Sequence, residues 1–292
     1  MARRDPAGTL TSRSRDAGGR IGPSAAWLIP AAVFLVFAFV VPFAALLRAA
    51  GRGAPGALVL ELAGVWTHSH TRRALGNGLA LSAGVSLAAI LLCLPPAGLL
   101  ARRRFAGRGA ARVLLSVPLA FSGVIVGFLA IVMLGRVGFV PAVALALFGR
   151  PLGAGLAYAL PGLFLAYLFF EIPRAVLALE AAFARLDPEL DAAARTLGAR
   201  ALQRFARITL PALRPALLAT FATTFSVSLG SYGAALILSR RFSVLPVEAY
   251  QELTAFGNDA AASAMAIWLA LVSIAVSVAA WRAAGRPVAG TG

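Results

Sequence analysis

The chain has 292 residues, 60% of them hydrophobic and 13% charged, against roughly 25% charged residues in a soluble domain. Its formal net charge is +16, and all 27 basic residues are arginine. The arginines fall between apolar runs, where they orient helices, so the charge is not a nucleic-acid footprint; with no lysine there can be no Walker A loop, and any ATPase must be another polypeptide.

Residues 1–24 are polar and basic, with Arg3, Arg4, Arg13, Arg15 and Arg20, and read as a cytoplasmic tail. The apolar run 25–47 follows, opened by Trp27 as an interfacial aromatic. It is too long for a signal-peptide core and reads as a retained first span. Further spans are expected at 77–100, 113–134, 154–172, 216–238 and 260–281. The second ends near Pro95-Pro96, the third contains Pro118 and the fourth Pro161, which predicts kinks in a packed bundle. Gly78, Ser82, Gly84 and Ser86 in the second span allow close helix approach. Cys93, the single cysteine, lies in that same run, excludes an internal disulfide and reads as a small buried hydrophobe. The expectation is an all-α polytopic membrane protein with six transmembrane helices. It forms one domain, 25–282, followed by a tail at 283–292.

Orientation follows from the arginines. With the N-terminus inside, nineteen arginines fall in inner segments and eight in outer ones. Both termini are therefore expected in the cytoplasm. In the outer segments, His68 and His70 have no carboxylate or thiol beside them and do not read as a metal site. The stretch 137–148 is apolar but too short to span. Glu248 and Glu252 share one helix face, turned to solvent or to a delivering partner.

The longest polar interruption is 187–215, DPELDAAARTLGARALQRFARITLPALRP, which this orientation places inside. Asp187 and Pro188 read as N-cap and first residue of a helix. Gly198 stands where that helix would end or bend. A second helix is expected over 199–210, interrupted by Pro211 and Pro215. On residue pattern alone, the segment could also be an amphipathic helix lying in the headgroup layer.

The segment resembles the cytoplasmic motif of permease subunits of binding-protein-dependent ABC importers, the MetI-like family: EAA, three residues, Gly, nine residues, Ile, one residue, Leu-Pro. Ala193, Ala194, Gly198, Ile208, Leu210 and Pro211 stand at the matching positions; Ala192 replaces the glutamate, with Asp191 beside it. The resemblance implies a coupling helix seated in a groove on a separate ATP-binding subunit. It implies as partners a dimer of those subunits, a second permease subunit, the same or related, and a periplasmic or extracellular solute-binding protein. No cofactor is expected on this chain; ATP is used by the partner, and the chain is not itself an enzyme. Arg195 and Arg200 would pair with acidic groups of the ATPase or with lipid phosphates. Over about residues 77–281 the chain looks most like the polyamine, thiamine and iron branches, and a polyamine-type solute is the expectation.

Polar residues inside spans are candidates for a pathway, because hydrocarbon penalises them. Thr220, Thr223, Thr224 and Ser231 fall near one stripe of the fifth span, with Tyr232 adjacent. They line a pathway or serve helix packing; the sequence leaves both open. Glu171 reads as an interfacial charge at the inner end of the fourth span, or as a proton relay. A membrane-embedded enzyme would need ionisable groups converging on one face. A secondary transporter driven by an ion gradient would need an intramembrane carboxylate or a sodium cage. No aspartate lies in an expected span.

Overall fold

A computed structural model describes residues 28–52, 56–239 and 242–285, and among them every regular element is helical. The expected tail 1–24, Trp27, Arg240, Arg241 and residues 286–292 lie outside the described residues. Two units part between Ala45 and Leu46. Helix α1 (Leu28–Ala50) straddles that division; it is apolar, contains Pro42, and carries Arg48 in its last turn, where a cation meets the negative end of the helix dipole.

The second unit is a bundle. Its longer helices are α2 (Ala57–Thr67), α3 (Ser69–Arg102), α4 (Arg108–Ser116), α5 (Gly123–Leu134), α6 (Phe139–Phe148) and α7 (Leu160–Ala184). They continue as α8 (Pro188–Thr196), the short α9 (Ala201–Arg204), α10 (Leu210–Leu229), α11 (Gly233–Leu238), α12 (Leu245–Thr254) and α13 (Asp259–Ala284). Six helical stretches are long and apolar enough to cross a membrane: Ile29–Ala50, Ser69–Arg102, Gly123–Phe148, Leu160–Ala184, Ala201–Leu229 and Asp259–Ala284.

Helix α3 packs along α7, and α10 lies against α3, α7 and α13. The seam of α3 repeats at four-residue spacing, Val85, Ala89, Cys93 and Ala97, all buried, which is the one-face period of a helix. These residues share a core with Leu163, Ala166, Leu179 and Phe183 of α7. The Cys93 thiol donates to the Ile172 carbonyl at 3.5 Å, so the cysteine is the buried small residue expected. Small residues set the helix spacing. A Cβ on Gly98 would sit 3.4 Å from the Phe183 ring, and one on Gly84 3.5 Å from Phe164. Between α5 and α11 the approach is closer: a Cβ on Gly127 would come within 2.9 Å of the Ile237 Cβ. At the other end of the bundle, the Trp268 indole donates to the Leu62 carbonyl at 3.0 Å and meets Trp66 edge to face at 5.3 Å.

Four expected boundaries move. The run 113–134 is not one span: α4 is separate, Val117–Ala120 is a 3-10 turn opened by Pro118, and α5 starts at Gly123. Ser122 caps α5 by accepting from the Ile125 amide at 3.4 Å. The fourth span starts and ends later than 154–172. Gly153 and Gly155 take φ of +81° and +78°, a left-handed conformation that ends regular helix. Pro161 then opens α7, which runs through Pro173 to Ala184. Glu180 does not end it, because Arg112 Nε donates to that carboxylate at 2.9 Å and Arg108 Nη2 stands 3.6 Å away. Arg174 consequently sits inside α7 and leaves the inner-segment count, without reversing its bias. The fifth span breaks after Leu229, and α11 is a separate short helix. Finally, Pro211 and Pro215 do not interrupt the second helix of the 187–215 segment. A π-helical turn, Phe205–Thr209, leads directly into α10, with Pro211 in the first turn of α10.

His70, placed beside no carboxylate by the sequence, meets one in the fold: its Nδ1 lies 3.1 Å from Glu248 Oε2. Ser243 also hydrogen-bonds Glu248. No group of three metal-ligating side chains forms among the described residues.

Candidate functional site

The segment after α7 folds as a helix, a glycine turn and a helix. Asp187 caps α8 by accepting from the Glu189 amide at 2.8 Å. Glu189 and Asp191 stand in the first turn and Arg195 in the last, as the helix dipole favours. The helix closes with a paired backbone motif: Gly198 N–H donates to the Arg195 carbonyl and Ala199 N–H to that of Ala194, both at 3.0 Å. This Schellman arrangement requires a left-handed residue at the position of Gly198, and Gly198 has φ of +76°. The next helix begins with the Arg200 amide donating to Gln203 Oε1 at 2.9 Å.

Asp191 clasps the two helices together. Arg195 Nη2 reaches its Oδ2 and Arg204 Nε its Oδ1, both at 2.9 Å. Arg204 Nη1 also donates at 2.8 Å to the carbonyl of Ala199, the residue that follows the glycine. The Arg204 hydrogen bond, aided by the charges of Arg204, Arg195 and Arg102 and opposed by partial desolvation, holds the Asp191 carboxyl below its ordinary range. The position expected to carry a glutamate is the exposed Ala192, and its neighbour makes the polar contact instead.

All ten residues singled out here lie on this continuous segment. Ala193 is exposed beside Ala192, and Ala194 is buried under them. Ile208 is half-buried in the π turn, while Leu210 and Pro211 open α10. Arg195 is committed to Asp191, and the exposed Arg200 contributes its backbone to the turn. Sequence reasoning passed over three leucines. Leu190, Leu197 and Leu202 are 56%, 87% and 77% exposed, an apolar surface on an otherwise charged knob. The signal was available: isolated leucines flanking a glycine turn in a polar stretch have no core to join.

The expected pathway stripe divides. Thr220 and Thr224 are buried, and the Thr224 hydroxyl bonds back to the Thr220 carbonyl at 2.9 Å. Thr223 is exposed and bonds back to Ala219 at 2.8 Å. Tyr232 meets the Tyr250 ring at 4.9 Å. Ser231 lies at the break between α10 and α11, where the Tyr167 hydroxyl donates to its carbonyl at 2.6 Å. There a cavity of about 320 Å³ is lined by Tyr167, Glu171, Arg174, Ser228 and Ser231, with Gly123 and Gly233. Glu171 is not the interfacial charge expected. It is 1% exposed, about 17 Å along α7 at 1.5 Å per residue. The burial by α10 that places it there is a tertiary fact invisible in a hydropathy run.

The residues match known proteins. Residues 94–282 match the family model described as binding-protein-dependent transport system inner membrane component. A probable molybdenum ABC transporter permease of Haloferax volcanii is 30% identical over 85% of each chain. The molybdenum transport system permease ModB of Escherichia coli K12 is 32% identical over 70% of this chain and 91% of its own. A sulfate transport system permease, CysW of Synechocystis, is 30% identical over 62% of this chain and 65% of its own. A solved bacterial alginate ABC transporter in complex with its periplasmic protein superposes with a TM-score of 0.73 at 20% identity, over 89% of this chain and 93% of that one. With a knob that carries the expected motif and six helices long and apolar enough to cross a membrane, the chain belongs to the MetI-like family of binding-protein-dependent permeases, the membrane subunits of ABC importers.

Proposed function

We propose that this subunit passes a tetrahedral oxyanion of the molybdate and sulfate class across a bacterial inner membrane. The observation that carries this reading is the 30% and 32% identity to permeases named for molybdenum. Molybdenum in oxygenated water is a tetrahedral dianion, and sulfate has the same shape and charge. The described cavities agree. One has Arg136 as its only charged wall residue, a second has Arg73 with Glu248, and the third has Arg174 with Glu171. None is net negative, as a route for a polyamine should be, and the polyamine expectation gains no support from the relatives.

On this proposal the Arg-rich knob faces the cytoplasm, and both termini lie there. Paired ATP-binding subunits receive the knob, with Leu190, Leu197 and Leu202 entering their groove. A binding protein delivers the anion at the opposite face, and a second membrane subunit completes the pathway. ATP is consumed by the partner and no cofactor is held here. The test is reconstitution with the ATPase and binding protein in vesicles. Uptake of radiolabelled molybdate or sulfate, dependent on ATP and indifferent to ionophores, is expected. Uptake of spermidine in their place would overturn the oxyanion reading. Uptake that follows an ion gradient without ATP would restore the secondary-transporter alternative.

A further inference from the structure

The cavity at the break between α10 and α11 holds an ion pair that the coupling machinery does not use. Arg174 Nη1 lies 3.2 Å from Glu171 Oε1, and the Ser228 hydroxyl donates to the same oxygen at 3.4 Å. The other carboxylate oxygen, Oε2, is buried and has no hydrogen-bond partner among the described residues. Ionisable side chains at this depth are costly and mark functional positions. A structural ion pair would be expected to use both oxygens, because a guanidinium is a planar fork matched to a carboxylate.

The two charges are not presented alike. The Glu171 side chain is 2% exposed and that of Arg174 is 36% exposed. A solute entering the cavity therefore meets the cation, with the carboxylate behind it. Arginine has five N–H donors, and one of those on Arg174 is engaged. The remainder, with the Ser231 hydroxyl nearby, make a donor-rich wall, while the Ser228 hydroxyl is spent on Glu171. About 320 Å³ is room for roughly ten waters at ~30 Å³ each, enough for a tetrahedral oxyanion with part of its hydration shell.

We infer that this cavity is a way-station for the transported oxyanion inside the membrane, with Arg174 as the residue that touches it and Glu171 as the positioning counter-ion. Arg174 keeps its single contact to Glu171 and gives its remaining donors to the solute. The Glu171 charge offsets that of Arg174, so the cavity is neutral and does not trap the anion. Tyr167 keeps the floor in place by holding the Ser231 carbonyl. This inference rests on the oxyanion reading above.

The experiment uses the assembled permease–ATPase complex in vesicles with loaded binding protein. It measures radiolabelled molybdate and sulfate uptake beside ATP hydrolysis. Arg174→Gln is expected to lower uptake per ATP hydrolysed by ten- to a hundredfold, the worth of a lost hydrogen bond to a charged group, while binding-protein stimulation of hydrolysis persists. Arg174→Lys should recover part of the loss. The double variant Glu171→Gln, Arg174→Gln removes both charges and leaves no unpaired buried ion. If Arg174 touches the anion it stays impaired; if the pair is only structural, it transports normally, and the inference is overturned. The double variant also carries the test should Arg174→Gln fail to assemble. Wild-type protein that moves neither anion would sink the oxyanion reading itself, whereas normal uptake by the variants would remove the way-station alone.

Discussion

Gly198 is where backbone geometry and the proposed coupling meet most directly. A Cβ placed there would have nothing within 4 Å, so a substitution is felt through φ of +76° and not through a clash. Non-glycine residues held left-handed cost of order 1–3 kcal/mol, with β-branched residues at the upper end and asparagine at the lower. The turn is held by two backbone bonds and by the Asp191 clasp, whose exposed Arg195 pair is worth about 0.2–1 kcal/mol, with the half-buried Arg204 pair beside it. Valine at Gly198 therefore costs as much as the clasp supplies. It would shift the turn toward an open form by a factor of roughly ten to a hundred. Uptake per ATP hydrolysed in reconstituted vesicles should fall about tenfold or more for Gly198→Val, with the protein still in the membrane. Gly198→Asn should keep most of the wild-type ratio. Wild-type coupling by the valine variant would refute the role of the turn. Equal damage from asparagine would mean that added bulk, and not backbone angle, is what the partner senses.

Asp191→Asn should loosen the knob by about 1 kcal/mol, read as faster amide exchange over α8 and α9. The Asp191 carboxyl is held below its ordinary range, so its contribution is complete above the unfolded value near 3.9 and is lost only as pH falls through the lower folded value. The difference between wild type and Asp191→Asn should accordingly be the same at pH 6 and pH 8. Gly127→Val drives a side chain toward Ile237, where a Cβ alone would already stand at 2.9 Å. The overpacking should cost about 1–3 kcal/mol, seen as a lower melting temperature in detergent. Tyr167→Phe removes the bond to the Ser231 carbonyl, a loss of about 1 kcal/mol, and should raise exchange of the α11 amides more than those of α10.

The knob was legible because its determinants are local. An N-cap, a proline in the first turn, a left-handed glycine and a motif of fixed spacing all sit within one short stretch. Apolar runs likewise gave the number of spans. What one dimension could not carry was neutralisation by distant partners. Hydropathy ends the fourth span near Glu171, yet α7 continues, because Glu171 is covered by α10 and Glu180 is met by arginines of α4. The same blindness set His70 apart from Glu248, which arrives from α12. Run length also hid breaks inside apolar sequence: the Ser122 cap before α5 and the Gly230–Tyr232 interruption contain nothing polar enough to end a hydropathy window.

The prolines misled for a different reason, and the error exposes a mechanical feature. Pro211 has no N–H to donate and normally costs a helix one bond. Here the backbone widens beforehand: the Leu210 amide bonds to the Phe205 carbonyl, five residues back. Such a π turn holds one residue more than an α-helix allows, and these turns cluster at functional sites. The result is a helical rod from Ala201 to Leu229 with no loop between the knob and the break that lines the cavity. A push on α8 reaches Ser228 through continuous backbone. Deleting Arg207, an exposed residue in the π turn, removes the extra residue and with it the widening. The flanking helices keep their register, but the Pro211 ring then meets the carbonyl four residues back and kinks the rod. The knob would then stay folded but face the wrong way, so the ATPase should bind weakly and uptake should fall by an order of magnitude or more. Spatial continuity alone does not demonstrate coupling, and this deletion tests it. A variant lacking Arg207 that binds the ATPase and transports normally would show that the π turn joining knob and rod carries no force.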